Sequence, residues 1–127
     1  MLMLEKFPIY AVLPASDLQR ATEWFRDKLE LEPEETGDGY AVFGTNSAAK
    51  IQIYETPNAG TAQNTALGWS TDDLDGTMAH LRERGVVFED YDFPGLKTEN
   101  GVATSPRDRA AWFLDSEGNI LCVSQRL

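Results

Sequence analysis

The sequence contains very few of the side chains that most often bind metals or act as nucleophiles. Among its 127 residues there is one cysteine, Cys122, and one histidine, His80. A single cysteine cannot form a disulfide within the chain, and this cysteine content gives no sign of an oxidising compartment. A single histidine excludes a histidine-rich metal site. It also leaves no histidine free to deprotonate Cys122, because His80 falls inside a predicted helix, so a Cys–His nucleophile is excluded.

Positive charge and long apolar runs are scarce as well. The chain has 11 Lys and Arg against 21 Asp and Glu, a net charge of -10. The basic residues are scattered, which argues against a nucleic-acid partner, and the acidic charge would repel an anionic membrane surface. It would attract a cationic ligand, but it also fits plain solubility. No apolar run approaches the length of a membrane span, and residues 1–6 are too charged for a secretion signal. We expect a cytoplasmic protein.

The length predicts one domain over residues 1–127, and the residue pattern predicts its elements. Apolar residues at helical spacing indicate two helices, and short β-branched and aromatic runs indicate strands. Ser16 and Gln19 have the spacing of a capping box before the first helix. Gly85 suits the end of the second helix, and residues 94–109 are predicted as a loop. The predicted helices are 17–29 and 73–84, and the predicted strands are 7–13, 40–43, 50–55, 66–71, 86–88, 110–114 and 120–124.

These elements form a repeat. A shift of 56 residues places the segment 16–19 on 72–75 and Phe25 on Leu81. Each half then reads as a strand, a helix and about three further strands, although residue identity between the halves is weak. We predict two modules, over residues 1–58 and 63–127.

Three segments resemble one known family. Residues 17–25 with 29–33 resemble the first helix of the vicinal oxygen chelate superfamily, which includes glyoxalase I, bleomycin-resistance proteins and extradiol dioxygenases. Residues 71–74 (Thr-Asp-Asp-Leu) resemble the start of its second helix, and residues 115–120 (Asp-Ser-Glu-Gly-Asn-Ile) resemble its closing hairpin. Glu30 departs from the family, which usually has Gly at that position. The resemblance covers nearly the whole chain.

The resemblance implies an α+β fold of two paired βαβββ modules whose strands form a U-shaped open sheet around a ligand cleft. Members of this superfamily are commonly dimers, so a homodimer is the expectation. Whether the modules pair within one chain or between two chains stays open. Function is not fixed by such a fold and has to be argued from the site.

Metal-dependent members of the superfamily have four metal ligands, one on the first strand and one on the last strand of each module. In this sequence those positions correspond to Tyr10, Ala66, Cys122 and Gln52, or Tyr54 if the register differs by two. His, Glu or Gln would be the expected ligands there. Ala66 has no donor atom, Tyr10 and Cys122 are atypical, and only Gln52 is ordinary. The resemblance therefore predicts a member without the metal site, with no metal, no cofactor and no catalytic residue assigned.

The side chains at these same positions, Tyr10, Gln52, Tyr54, Ala66 and Cys122, are candidates for the lining of a ligand pocket. Trp112 and a loop add further candidates for ligand contact. Cys122 is most simply a small buried side chain in an apolar strand, and its position makes it a candidate for the pocket lining. Trp112 is a further candidate, with core packing as the alternative. The loop before the closing hairpin is a candidate lid, since long loops are often functional. Its polar and cationic candidates are Tyr91, Lys97, Arg107 and Arg109.

Three functions remain open from the sequence. The first is a metal-independent small-molecule binding protein of the glyoxalase/bleomycin-resistance type, whose partner is a small ligand in the cleft and which could sequester a drug or metabolite. The second is a metal-dependent lyase, isomerase or dioxygenase. The third is a module that acts only through protein contacts. The sequence favours the first.

Overall fold

Two four-stranded sheets and two helices account for most of the chain. The structure is a computed structural model, and it describes residues 3–127. The first sheet has the order β1-β4-β3-β2, with α1 between β1 and β2 in the chain. Its elements are β1 (Tyr10–Ala15), α1 (Leu18–Leu29), β2 (Pro33–Gly37), β3 (Tyr40–Gly44) and β4 (Lys50–Glu55).

The second sheet repeats this arrangement. Its order is β5-β10-β9-β8, and α2 follows its first strand as α1 does in the first half. A small hairpin, β6–β7, is inserted before β8. The elements are β5 (Thr65–Ser70), α2 (Leu74–Glu83), β6 (Asp92–Phe93), β7 (Leu96–Lys97), β8 (Ala103–Thr104), β9 (Asp108–Leu114) and β10 (Ile120–Arg126). The predicted α+β fold class is confirmed. Within residues 3–127 no helix has the length and apolarity needed to cross a membrane.

The first helix begins one residue later than the capping-box pattern predicts. Asp17, rather than Ser16, is the N-cap, and its side chain accepts a hydrogen bond from the backbone N–H of Arg20 at 3.0 Å. The prediction of Ser16 and Gln19 as a capping box is therefore wrong. A carboxylate at this position satisfies one of the free N–H groups of the first turn, as a serine hydroxyl would. The helix ends at Leu29, and its C-cap Glu30 adopts a left-handed conformation with φ 58°.

Helix α1 packs against the inner faces of both sheets. The ring of Phe25 lies 5.1 Å from that of Phe43 on β3, and the ring of Trp24 lies 6.3 Å from that of Phe113 on β9. All three phenylalanines are fully buried. The inner faces of the two sheets therefore meet around α1 in one apolar core. Because side chains alternate along a strand, the outer faces of the sheets point away from this core.

A buried carboxylate joins the two halves of the chain. Glu117, in the β9–β10 turn, has no exposed side-chain surface and accepts hydrogen bonds from the backbone N–H groups of Ser16 and Asp17, each at 3.0 Å. It also accepts one from the Ser16 hydroxyl and forms an ion pair with Arg20 at 2.8 Å. These bonds lower the pKa of Glu117 to about 2, with the Arg20 guanidinium as the largest cause.

Three predicted segments differ from the structure, and one edge strand is missing from the prediction. The first strand begins at Tyr10 rather than residue 7 and continues through Pro14, which an edge strand tolerates. Residues 33–37 form β2, an edge strand that was not predicted. Residues 86–88 are not a strand, and only Phe88 makes one bridge, to Phe113. The predicted loop 94–109 contains β7, β8 and the start of β9.

Candidate functional site

Each sheet leaves its outer face uncovered in the single chain, and the six predicted pocket residues divide between these two faces. We call the outer side of the first sheet the first open face; it carries Tyr10, Gln52 and Tyr54. The second open face is the outer side of the second sheet and carries Trp112 and Cys122. Ala66, on β5, is exposed at the edge of the second sheet. The structure therefore brings the predicted residues together in two groups on opposite sides of the core, rather than in one cleft within the chain.

The first open face is largely apolar with an amide at its centre. Gln52 on β4 lies between Val12 on β1 and Val42 on β3. Tyr10 and Val12 are exposed at 61% and 48%, which is high for large apolar side chains on a strand. Such a surface can pack an apolar ligand, and the Gln52 amide can supply both a hydrogen-bond donor and an acceptor.

The second open face carries an aromatic group beside a thiol. Trp112 is paired with Cys122 in the β9–β10 ladder, and its Nε1–H donates a hydrogen bond to the Thr65 hydroxyl at 3.1 Å. Tyr91 meets Trp112 edge to face, with ring centroids 5.8 Å apart, and Phe93 lies 5.8 Å from Tyr91. Rings held in this way form a rigid wall for a flat or apolar ligand. Sequence reasoning missed Thr65 and Phe93. Strict alternation along β5 groups Thr65 with Leu67 and Trp69, which pack against the core, and the irregularity at Ala66 brings Thr65 to the side of Trp112 instead.

Cys122 fits the interpretation of a packed thiol. It is half-buried on β10, and burial raises the pKa of its thiol, with Asp108 adding to the effect. A raised pKa leaves less thiolate at neutral pH, which is the opposite of what a nucleophilic cysteine needs. The side chain is suited to lining a pocket rather than to attack.

The four positions that correspond to metal ligands do not form a metal-binding set. On the two sheets Gln52 is opposite Val12, and Cys122 is opposite Gly68, so neither has a donor across the ladder. Ala66 lies at an irregularity of the β5–β10 register, where one residue of β5 is left unpaired. Between residues 3 and 127 no three His, Cys, Asp or Glu side chains are grouped as a metal site. The donors on these faces do not fit the divalent metal of the metal-dependent members.

The predicted lid residues separate into different environments. Tyr91 joins the aromatic wall of the second open face. Lys97 and Arg109 line a cavity beside α2, on the inner side of the second sheet. Arg107 is exposed, and its backbone carbonyl accepts a hydrogen bond from Leu127. Only Tyr91 therefore lies close to the predicted pocket residues. His80 is exposed on α2, and it contacts Glu30.

Comparison with known families identifies the fold. The model of the Glyoxalase/Bleomycin resistance protein/Dioxygenase superfamily matches residues 8–123. The chain belongs to this superfamily. The resemblance found in the sequence segments 17–25, 29–33, 71–74 and 115–120 is thereby confirmed. No curated protein matches the chain.

Solved structures share the superfamily fold over nearly the full length. TnmS3, an antibiotic binding protein from Streptomyces sp. CB03234, has a TM-score of 0.74 at 22% identity and covers 99% of this chain and 100% of its own. UcmS2 has a TM-score of 0.73 at 15% identity, and the match covers 93% of this chain and 96% of UcmS2. A glyoxalase/bleomycin resistance protein from Catenulispora Acidiphila DSM 44928 has a TM-score of 0.66 at 25% identity, and the match covers 94% of this chain and 97% of that protein.

Proposed function

We propose that this protein is a metal-independent small-molecule binding protein that works as a homodimer. The observation that carries the proposal is the chemistry of the two open faces. They combine exposed apolar and aromatic side chains with a few polar groups, as ligand sites usually do, and their donors do not fit a catalytic metal.

The dimer follows from the position of these faces. In one chain they point away from the shared core, so a cleft lined by both requires a second copy. Strands β1 and β5 are edge strands of 6 residues each without charged residues. Of the other two edge strands, β2 carries Glu34 and Glu35, and β8 is only 2 residues long. Charged edges resist pairing and uncharged edges favour it. We therefore propose that β1 of one protomer lies beside β5 of its partner. This would join a first open face to a second open face around a U-shaped cleft.

The ligand class follows from the lining and the charge. The aromatic group around Trp112 suits a flat or apolar body, and a net charge of -10 favours a ligand with cationic groups. TnmS3, which shares the fold, is an antibiotic binding protein, and this supports a drug or metabolite as the ligand. A cytoplasmic location is part of the proposal and is supported by the single, unpaired cysteine.

Thermal unfolding of chelator-treated protein against bleomycin and a library of antibiotics and metabolites tests the proposal. We expect at least one compound to raise the Tm saturably without added metal. Trp112→Ala should abolish that rise, while Trp112→Phe, which keeps an aromatic ring, should retain most of it. No rise with any compound would support the alternative of a module that acts through protein contacts.

The remaining alternative is a metal-dependent lyase, isomerase or dioxygenase. Metal analysis of the purified protein distinguishes it from the proposed metal-independent binding protein. Gln52 is the one ordinary ligand type at the four positions, so it is the residue to change. We expect Ni, Mn, Fe and Zn far below one equivalent in both wild type and Gln52→Ala. A stoichiometric metal that Gln52→Ala removes would overturn the metal-free proposal.

A further inference from the structure

A second concave surface lies on the opposite side of the second sheet from Trp112 and Cys122. It is a cavity of about 630 Å³ between α2, the segment 97–102 and the ends of β8 and β9. Its lining includes three cationic side chains, Arg82, Lys97 and Arg109. The cavity therefore collects three of the 11 Lys and Arg residues in a chain that has 21 acidic residues.

The cavity is separate from the two open faces. Arg109 belongs to the same side of β9 as the buried residues Ala111 and Phe113, because side chains alternate along a strand. Trp112 belongs to the other side. A ligand in the cavity would therefore contact α2 and not the aromatic wall, so this site does not depend on the proposed function.

Arg82 is held in a fixed orientation. Its guanidinium lies 5.1 Å from the centre of the Phe88 ring, and one Nη2–H donates to the Asn100 carbonyl at 3.1 Å. A stacked guanidinium keeps its remaining N–H groups available in a planar arrangement that matches carboxylate and phosphate oxygens. This orientation lowers the entropy cost of binding an anion.

The other two cations keep donors available in different ways. Lys97 is exposed and forms no ion pair with any residue from 3 to 127. Arg109 is only 28% exposed, and its Nη2 pairs at 2.9 Å with Asp75, which is 77% exposed. Water screens the exposed carboxylate strongly, so the pair leaves Arg109 much of its attraction for a second anion.

The rest of the lining defines the size and character of the ligand. Asp75 and Glu99 are the acidic residues of the lining, which therefore carries one net positive charge. Asp90 is outside the lining but close enough to Arg82 for the two charges to attract. Met78 and Val102 supply apolar surface, and Asn100 and Thr104 supply polar groups. An anion with several separate acidic groups would meet repulsion from the two carboxylates. A small anion with an apolar body fits better.

We infer that this cavity is a binding site for a small organic oxyanion, a carboxylate or a phosphate monoester. The oxyanion lies among Arg82, Lys97 and Arg109, and the apolar body rests on Met78 and Val102. Charge-assisted hydrogen bonds from two arginines give the site its specificity for a planar or tetrahedral oxyanion over an uncharged polar group.

Calorimetric titration of the purified protein with benzoate, phenyl phosphate and benzamide tests the site. Benzamide has the shape of benzoate without its charge. We expect benzoate or phenyl phosphate to bind saturably at millimolar concentration or below, with affinity that falls as NaCl is added, and benzamide to bind at least about ten-fold more weakly. The tighter of the two anions identifies carboxylates or phosphate monoesters as the natural class.

Variants locate the binding. Lys97→Gln removes a cation that makes no ion pair, so it should leave the Tm unchanged and weaken anion binding about ten-fold. Arg109→Gln should weaken it by a similar factor. Arg126→Gln is the matched control, because it makes the same change of charge at an exposed residue outside the cavity lining. Absence of saturable anion binding, equal binding of benzamide, or equal weakening by Arg126→Gln would overturn the inference.

Discussion

At the scale of single residues, Glu117 links the two halves of the chain through contacts that no motif in the sequence predicts. Its carboxylate accepts hydrogen bonds from two backbone N–H groups of the first half and pairs with Arg20. A buried acceptor with this many donors cannot be removed without leaving several of them unsatisfied. The resemblance to the closing hairpin marks the turn, but the partners of Glu117 lie about a hundred residues away in sequence.

Glu117→Gln should therefore destabilise the protein. The variant keeps the shape of the side chain but loses its charge and one acceptor oxygen, so we expect the free energy of unfolding to fall by about 2 kcal/mol. Urea denaturation at pH 7 measures this. Glu83→Gln, at an exposed site on α2, is the control and should change it by less than about 0.5 kcal/mol. Equal effects of the two variants would contradict the role of Glu117.

The same carboxylate gives stability a defined pH dependence. The pKa of Glu117 is about 2 in the folded protein, well below its ordinary value of 4.5. A depressed carboxyl pKa stabilises the folded state above the unfolded pKa, and this contribution is lost as pH falls from about 5 to about 2. Asp115 acts in the opposite direction, because burial raises its pKa. We expect the stability difference between wild type and Glu117→Gln to shrink over this range. A difference that stays constant down to pH 3 would be inconsistent with the lowered pKa.

Cys122 should react slowly with thiol reagents. Burial raises its pKa, so the thiolate fraction at pH 7.5 is lower than in a free cysteine. Alkylation by iodoacetamide, followed by mass spectrometry, should be several-fold slower in the folded protein than in urea. Labelling at the rate of the unfolded chain would contradict the interpretation of Cys122 as a packed lining residue.

At the scale of elements, two glycine turns shape the segment before the closing hairpin. Asn100 and Gly101 both have positive φ, at 53° and 82°, and Glu99 and Val102 are hydrogen-bonded across them. This is the two-residue turn that Asn-Gly favours. A Cβ at Gly101 would lie 3.1 Å from the Cβ of Phe88, whereas one at Gly95, with φ 87°, would meet nothing within 4 Å.

Alanine at these two positions separates backbone strain from crowding. Gly95→Ala introduces only the left-handed strain and should cost about 1 kcal/mol of stability. Gly101→Ala adds crowding against Phe88 and should cost about 1 kcal/mol more. Urea denaturation of both variants gives the comparison. A smaller loss for Gly101→Ala than for Gly95→Ala would contradict the packing around this turn.

Elements with strong periodicity were predictable from the sequence, and elements defined by distant contacts were not. The helices predicted at 17–29 and 73–84 are Leu18–Leu29 and Leu74–Glu83 in the structure, because their apolar stripes face the core. Strand β2 was missed because its exposed edge carries Glu34 and Glu35 and begins at a proline. The predicted strand 86–88 has buried apolar residues but no partner strand along its length.

The candidate site was predictable in part for the same reason. The alternation of side chains along β4 places Gln52 and Tyr54 on one face. Trp112 and Cys122 share a face because they are paired across β9 and β10. The sequence contains no signal for which faces of the two sheets meet. The Asn-Gly pair at 100–101 was a usable turn signal within the predicted lid. It could have shown that this segment folds back as a hairpin.

At the scale of the whole molecule, the proposed cleft requires a second copy of the chain. Ile9, directly before the uncharged edge strand β1, exposes 78% of its surface. In the proposed dimer this edge is covered by the partner. Sedimentation velocity should give twice the chain mass of 14.1 kDa for the wild type and a largely monomeric species for Ile9→Arg. Val87→Arg, at a similarly exposed apolar residue away from both edges, should stay dimeric. A monomeric wild type would contradict the shared cleft.

The central claim, ligand binding without a metal in a cleft built by two chains, has one direct test. It is calorimetric titration, in the presence of EDTA, of the first library compound that raises the Tm. We expect saturable binding of one compound per protomer, which the chelator does not change. Binding that appears only when Ni, Mn, Fe or Zn is restored would contradict it.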